Sequence, residues 1–194
     1  MRKDIEEVGQ TYGLENWSAG YFSINIQGNL TVHPSKGAGP GADVYELVRE
    51  LVEKRKVSLP ILLRFPQILG TQLHRLCRAY EAAARDSEYT AGHYPVFPMK
   101  VNPRREVVEE FLREGIQQSV GIEAGSKPEL YAALSLEQSP ESLLICNGFK
   151  DESFVNLALL GVQAGKRVIL VVEKLNELKM IMRCAKQAGV TPWI

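Results

Sequence analysis

The spacing of apolar residues changes character near Leu59. Before that point, GYFSINIQGNLTVH (20–33) places Tyr21 or Phe22, Ile24 and Ile26 ahead of Gly28-Asn29, with Leu30 and Val32 behind it. This pattern predicts a two-strand hairpin. The glycine- and proline-rich stretch PSKGAGPG (34–41) then reads as a break, followed by a short helix from about Ala42 to Lys54. From Leu59 onward, short runs of Val, Ile and Leu alternate with segments of helical period. The runs are PILLRF (60–65), PVFPMK (95–100), SVGIE (119–123), LLICN (143–147) and RVILVVE (167–173), each predicted as a strand. Between them, Leu73, Leu76, Cys77, Tyr80 and Ala84 share one helical face, as do Val107, Val108, Phe111 and Leu112. Ser126 and Glu129 form a capping box with Pro128 in the first turn, and Gly115, Gly165 and Gly189 stand where helices should end.

The last three runs begin near 119, 143 and 167, a repeat of about 24 residues that accommodates one strand, one helix and two short loops. A further unit is expected at Val190–Ile194. Five to six such units fall short of a (β/α)8 barrel, which takes ~250 residues, so the pattern admits a doubly wound open sheet or an incomplete barrel.

Charge narrows the partners. The 23 basic residues balance 23 acidic ones, so no net field draws the chain to nucleic acid or an anionic membrane, and a small molecule or another protein is the expected partner. With 194 residues, 45% hydrophobic and 24% charged, the composition is that of a soluble globular domain able to bury a core. The three cysteines, Cys77, Cys146 and Cys184, are widely spaced within apolar patterns, which predicts buried thiols in a reducing compartment. The N-terminal residues carry no apolar leader, and no run of ~18 apolar residues occurs, so a cytoplasmic protein that does not enter the membrane is expected.

Parallel α/β folds bind ligands at the carboxyl ends of their strands, where this sequence puts Arg64, Lys100, Glu123, Asn147 and Glu173. Any one of these is equally explained as a polar strand end meeting solvent. Lys100 is distinctive because Pro95-Val96-Phe97-Pro98-Met99 precede it and Val101-Asn102-Pro103 follow. An amine buried there would favour its neutral form, which Schiff-base chemistry requires; a lysine snorkelling from the strand end to water fits the pattern equally well. His33, His74 and His93 are scattered and suggest no zinc site, with His93 read as a loop residue. GAGPG (37–41) lacks the Gly-Lys-Ser/Thr ending of a phosphate loop and is read as a linker. Ser126-Lys127 suits either a helix cap or an anion site, and Cys146 reads as a small core residue.

FPMKVN (97–102) is similar to the cofactor-lysine motif of the alanine-racemase-like barrel enzymes: an aromatic residue, two spacers, Lys, one spacer and Asn. With LPILLRFPQILGTQL (59–73), GIEAGSKPEL (121–130), CNGFKDESF (146–154), the 20–33 segment and RVILVVEKLNELKMI (167–181), the chain resembles the biosynthetic arginine decarboxylases from about Trp17 to Trp193. The resemblance implies an α/β fold: an incomplete (β/α)8 TIM-type barrel over residues 42–194, preceded by an N-terminal β segment and linker, residues 1–41, whose hairpin belongs to a second β domain. It implies pyridoxal 5'-phosphate as cofactor, Lys100 as the catalytic lysine that holds it covalently, and Glu123 and Asn147 as further cofactor-binding residues. It also admits Mg2+. The implied reaction is decarboxylation of L-arginine to agmatine and CO2, in polyamine biosynthesis, by a homo-oligomer in the full-length form. The family's glycine-rich phosphate loop, ring-stacking histidine and acid facing the pyridine nitrogen have no counterpart in this sequence, so a C-terminally truncated chain, inactive alone, is expected. The alternatives are a decarboxylase for ornithine, lysine or diaminopimelate, or a non-catalytic or regulatory subunit of the same cofactor fold.

Overall fold

The alternating stretch around Gly28 folds as the expected hairpin, within a computed structural model that describes residues 4–36 and 39–194. The chain forms two compact units, Met1–Thr71 and Gln72–Ile194. In the first unit, two short helices, α1 (Ile5–Thr11) and α2 (Leu14–Ser18), precede the hairpin. Neither is long enough to set up a helical period that a sequence reading could detect. Strands β1 (Phe22–Ile24) and β2 (Leu30–Val32) pair antiparallel with Phe22 opposite Val32. Gly28, at φ 84°, turns the chain, and the Asn25 side-chain oxygen accepts from the amides of Gln27 and Asn29 at 3.1 and 2.9 Å.

The helix expected from Ala42 starts two residues later. Ala42 and Asp43 form β3, which adds to β2 with Asp43 opposite Thr31, and α3 follows at Val44–Glu53. Asp43 explains the shift: one carboxyl oxygen caps the helix by accepting from the Glu46 amide at 3.0 Å, while the other accepts from the side chains of Asn25 and Asn29 at 2.7 and 2.9 Å. The Asn29 hydrogen bond and then the Glu46 amide hold this carboxyl below its ordinary value. The glycine-rich break at 34–41 lies between β2 and β3 of this one sheet, although Gly37 and Ala38 are outside the described residues.

PILLRF is not a strand. Residues 60–65 keep an alternating burial, with Ile61, Leu63 and Phe65 half-buried and Leu62 and Arg64 exposed, but they belong to neither sheet. An apolar run becomes a strand only where its N–H and C=O groups find a neighbouring ladder, and alternation alone does not supply one. The chain instead enters α4 (Pro66–Asp86) with Pro66 at its first position, where a missing N–H costs nothing.

The second unit realises the βα repeat. Strands β4 (Val96–Pro98), β5 (Gly121–Ala124), β6 (Leu143–Cys146) and β7 (Arg167–Leu170) form a parallel sheet in that order. They are connected by α5 (Arg105–Glu114), α6 (Lys127–Ser135) and α7 (Glu152–Gln163), with α8 (Leu175–Ala188) after β7. Beyond α8, Trp193 forms a parallel bridge with Ile169, and its carbonyl accepts from the Leu170 amide at 2.9 Å, at the position expected for the next unit.

The register layers the core. Ile122, Leu144 and Val168 lie side by side and fully buried, as do Ala124, Cys146 and Leu170. These residues share one cluster with Val108 and Leu112 of α5, Leu130 and Ala133 of α6, Phe154 and Ala158 of α7, and Ile181 and Cys184 of α8. Helices therefore cover one face of the sheet. Residues of the opposite parity, Glu123, Ile145 and Ile169, are only half-buried. Burial of each large side chain contributes roughly 1.5–3 kcal/mol, so this single face supplies most of the unit's hydrophobic stabilisation. All three cysteines are buried and unbridged, and burial pushes the Cys146 thiol up to about 12.

Two consequences are testable. A Cβ on Gly121 would lie 2.0 Å from the Leu143 carbonyl oxygen, a backbone atom that cannot swing aside. Gly121→Ala is expected to destabilise the chain by about 3 kcal/mol, read from its urea midpoint. Asp151 caps α7, accepting from the Phe154 amide at 2.9 Å, and takes the Lys127 ammonium at 2.6 Å. The Lys127 hydrogen bond, followed by the Phe154 amide, lowers this carboxyl from 3.8 to about 2. Between those values the unfolded chain binds a proton that the folded chain does not, so the associated stability is complete above the ordinary value and is lost as pH falls through about 2. A carboxyl-carbon NMR titration should place the midpoint near 2, and Lys127→Met should move it up towards 3.8.

Candidate functional site

Strand β4 ends at Pro98, and the chain closes one 3-10 turn over Met99–Val101. Met99 tucks into the core, and this turn carries Lys100 outward. Of the two readings that the sequence leaves open for Lys100, the structure matches the one in which the side chain reaches water: it is 64% exposed. Pro95 and Met99 are buried and Val96, Phe97 and Pro98 half-buried, whereas Val101, on the same turn as the lysine, is exposed with it.

Glu123 meets this amine because of register. Pro98 pairs with Glu123 across β4 and β5, so a residue just past Pro98 can reach the same level. Glu123 occupies the strand parity that faces away from the helix-covered core. Its side chain is 14% exposed, and its Oε1 lies 3.8 Å from the Lys100 ammonium, just outside hydrogen-bond distance. That oxygen is buried and has no hydrogen-bond partner. A buried acceptor left in this state costs about 1–3 kcal/mol, which a bound donor would recover.

Asn147 reaches the same edge through its backbone. It follows β6, and its amide donates to the Ala124 carbonyl at 2.9 Å, prolonging the ladder beside Glu123. The next residue, Gly148, has φ 74°, and a Cβ there would fall 2.8 Å from the Gly125 carbonyl oxygen. The loops after β5 and β6 thus come close enough at Gly125 and Gly148 that no side chain fits between their backbones. Ser126 caps the helix by accepting from the Glu129 amide at 3.4 Å, while the Glu129 carboxylate reaches one residue past the N-cap that a capping box would use and accepts from the Gly125 amide at 2.7 Å. Lys127 is engaged by Asp151 and Ser153, which favours the capping reading of this turn over the anion reading.

The remaining candidates lie elsewhere. Arg64 is in the 60–65 segment, outside both sheets, and Glu173 sits past the end of β7, its amide donating to Glu177 at 2.9 Å. His33 bonds Ser23 at 2.7 Å, His74 meets the Glu114 carbonyl at 3.0 Å, and His93 stacks on Tyr80 at 4.1 Å. Among the described residues there is no group of three or more His, Cys, Asp or Glu that could hold a metal ion, and nothing in them supports the Mg2+ that the resemblance admits. A cleft of about 950 Å3 opens between α5 and α6, lined by Val108, Leu112 and Leu136, and includes none of Lys100, Glu123 or Asn147. Among the described residues no helix is long and apolar enough to cross a membrane.

Two residues at this edge escaped the sequence reading. The Lys150 side chain is fully enclosed, donates to the Gly148 carbonyl at 2.5 Å and lies 3.9 Å from Glu177. Glu177 takes the Lys150 amide at 3.2 Å on one oxygen and the Glu173 amide at 2.9 Å on the other. Burial works against its charge, but the Glu173 and Lys150 amides and the Lys150 ammonium together hold its carboxyl below the ordinary value. The available signal was a glutamate in the first turn of a helix whose N-cap, Lys174, has no capping side chain. Nothing in the neighbours of Lys150 distinguishes it from a solvated loop lysine.

An accessible primary amine beside a buried, partnerless carboxyl oxygen fits an aldehyde cofactor with a polar ring. The donor set does not suit a metal.

The family model described as "Pyridoxal-dependent decarboxylase, pyridoxal binding domain" matches residues 72–192. The biosynthetic arginine decarboxylase of Bacteroides thetaiotaomicron is 45% identical over 193 residues, which cover 99% of this chain and 30% of that protein. The enzyme of the same name from Vibrio cholerae is 39% identical over 201 residues, covering 99% of this chain and 31% of that one. The crystal structure of the biosynthetic arginine decarboxylase from Campylobacter jejuni superposes with a TM-score of 0.83 at 29% identity, covering 91% of this chain and 29% of that one. The chain thus spans about 30% of the length of the curated relatives it matches. With the family model covering more than half of the chain and most of the βα unit, the chain belongs to the pyridoxal-dependent decarboxylases, through their pyridoxal-binding domain.

Proposed function

We propose that this chain carries the cofactor-lysine portion of a decarboxylase that converts L-arginine to agmatine and CO2, with Lys100 as the residue that holds pyridoxal phosphate. The observation that carries this reading is the pairing of the exposed Lys100 amine with the partnerless Glu123 oxygen at 3.8 Å. When bound, the cofactor supplies an electron sink for the charge left as an α-carboxylate departs. Lys100 provides the attacking amine, which has to be uncharged to act as a nucleophile. Glu123 Oε1, 3.8 Å away, is the acceptor for its proton, and a small rotation of the exposed lysine brings the two within hydrogen-bond distance. Asn147 is read as lining the same edge, held there by its backbone bond to Ala124. The name shared by the relatives supports arginine over ornithine, lysine or diaminopimelate as substrate.

The finer architecture follows from the same reading. Strands β4 to β7 and the Trp193 bridge are consecutive staves of a (β/α)8 barrel, and the half-buried face bearing Glu123 is its lumen side. Helices on one face only support a barrel over a doubly wound sheet, which would carry them on both. The three-stranded sheet is read as part of a second β domain.

Incubation with pyridoxal phosphate is expected to give a visible absorbance band, and borohydride should fix the cofactor mass on the peptide containing Lys100. Lys100→Ala should abolish both, along with arginine-dependent CO2 release from the full-length enzyme. A band retained in that variant, or label on another lysine, overturns the assignment.

A further inference from the structure

Lys150 and Glu177 lie at the edge described above, yet neither has a role in the proposed chemistry. Lys150 stands in the loop after β6 and Glu177 in the first turn of α8. The Lys150 side chain is 0% exposed and that of Glu177 only 7%, so both charges are withdrawn from water. Such a pair is weak evidence for stability, because apolar residues of similar size would serve as well. Its geometry is what a purely stabilising pair would not need. The two oxygens of Glu177 accept amides from different loops, Lys150 after β6 and Glu173 after β7. The Lys150 ammonium turns back onto the Gly148 carbonyl at 2.5 Å. Gly148 in turn packs on the Gly125 backbone, and Gly125 follows Glu123 by two residues. A continuous chain of contacts therefore runs from α8 through Lys150, Gly148 and Gly125 to the carboxylate facing Lys100.

We propose that Lys150 and Glu177 are positioning residues: a buried clamp that fixes the loops after β6 and β7 so that the Gly148 peptide supports the Glu123–Lys100 edge. This rests on the cofactor site proposed above. The clamp depends on a carboxylate because only two acceptor oxygens can take amides from both loops. A glutamine offers one acceptor, and its NH2 group faces a donor.

The test is amide hydrogen exchange of the whole chain without added cofactor, comparing wild type, Glu177→Gln and the double variant Lys150→Met/Glu177→Gln. The double variant leaves no uncompensated buried ammonium and so guards against simple misfolding. Exchange in the 148–150 and 172–174 segments should rise together by about tenfold, the size expected for losing a hydrogen bond to a charged acceptor, while Ile122 and Leu144 keep their protection. Unchanged loops, a uniform rise across the sheet, or failure of both variants to fold would overturn the clamp. A second readout is the affinity for pyridoxal phosphate, followed by visible absorbance, which should weaken by about tenfold in both variants with Lys100 still the labelled residue. Loosened loops with unchanged affinity would remove the positioning role and leave the proposed function standing. If wild type takes up no cofactor, the proposed function falls, and the exchange data still decide the clamp.

Discussion

The site depends on the parallel register of β4 to β7. A parallel ladder brings the carboxyl ends of all its strands to one edge, and here it does so with Ile122, Leu144 and Val168 abreast. Strand parity then separates two jobs. Residues of one parity are enclosed by helices and hold the unit together; Glu123, of the other parity, is held at the half-buried face with its Oε1 accepting no hydrogen bond. A slip of one residue in β5 would exchange these roles, putting a carboxylate into the apolar layer. Gly121 limits such a slip, since the Leu143 carbonyl sits where any side chain would have to be.

The repeat was legible in the sequence because each unit is amphipathic on its own. The 119, 143 and 167 runs became β5, β6 and β7, and even the Trp193 bridge lay where the period put it. PILLRF failed as a strand because the existence of a strand is a property of the pair: its alternation is intact and its ladder is missing. The same limit hid β3, a two-residue strand that exists because Asp43 serves the hairpin and α3 together. Local pattern reports which face of a segment is apolar. It does not report whether a backbone partner will be present.

The candidate site was legible in its positions and less so in its environment. Lys100, Glu123 and Asn147 do gather at one edge, since strand ends in a βα repeat must. Between burial and reach to water, both open for Lys100 in the sequence, the turn decides: the stretch of apolar neighbours ends in a turn and not in a strand, and the side chain is exposed. Apolar neighbours in sequence bury a residue only if the backbone keeps pointing it where they point. Lys150 shows the converse: an ordinary loop lysine by sequence, it is the most enclosed cation at this edge because Gly148 bends the loop back over it.

In the proposed function and clamp, these two lysines divide between them what one residue could not do. A lysine proposed to attack an incoming carbonyl needs access, which the exposed Lys100 has. A lysine that orders a loop needs enclosure and fixed acceptors, which Lys150 has in Gly148 and Glu177. The unsatisfied oxygen of Glu123 stands between the two, close enough to Lys100 to act on it and joined to the Lys150 clamp through Gly125. Its unmet hydrogen bond is tolerable because the surrounding loops are stapled elsewhere. An acceptor of this kind in a mobile loop would simply rotate into water, and the edge would lose the carboxylate that makes it a site.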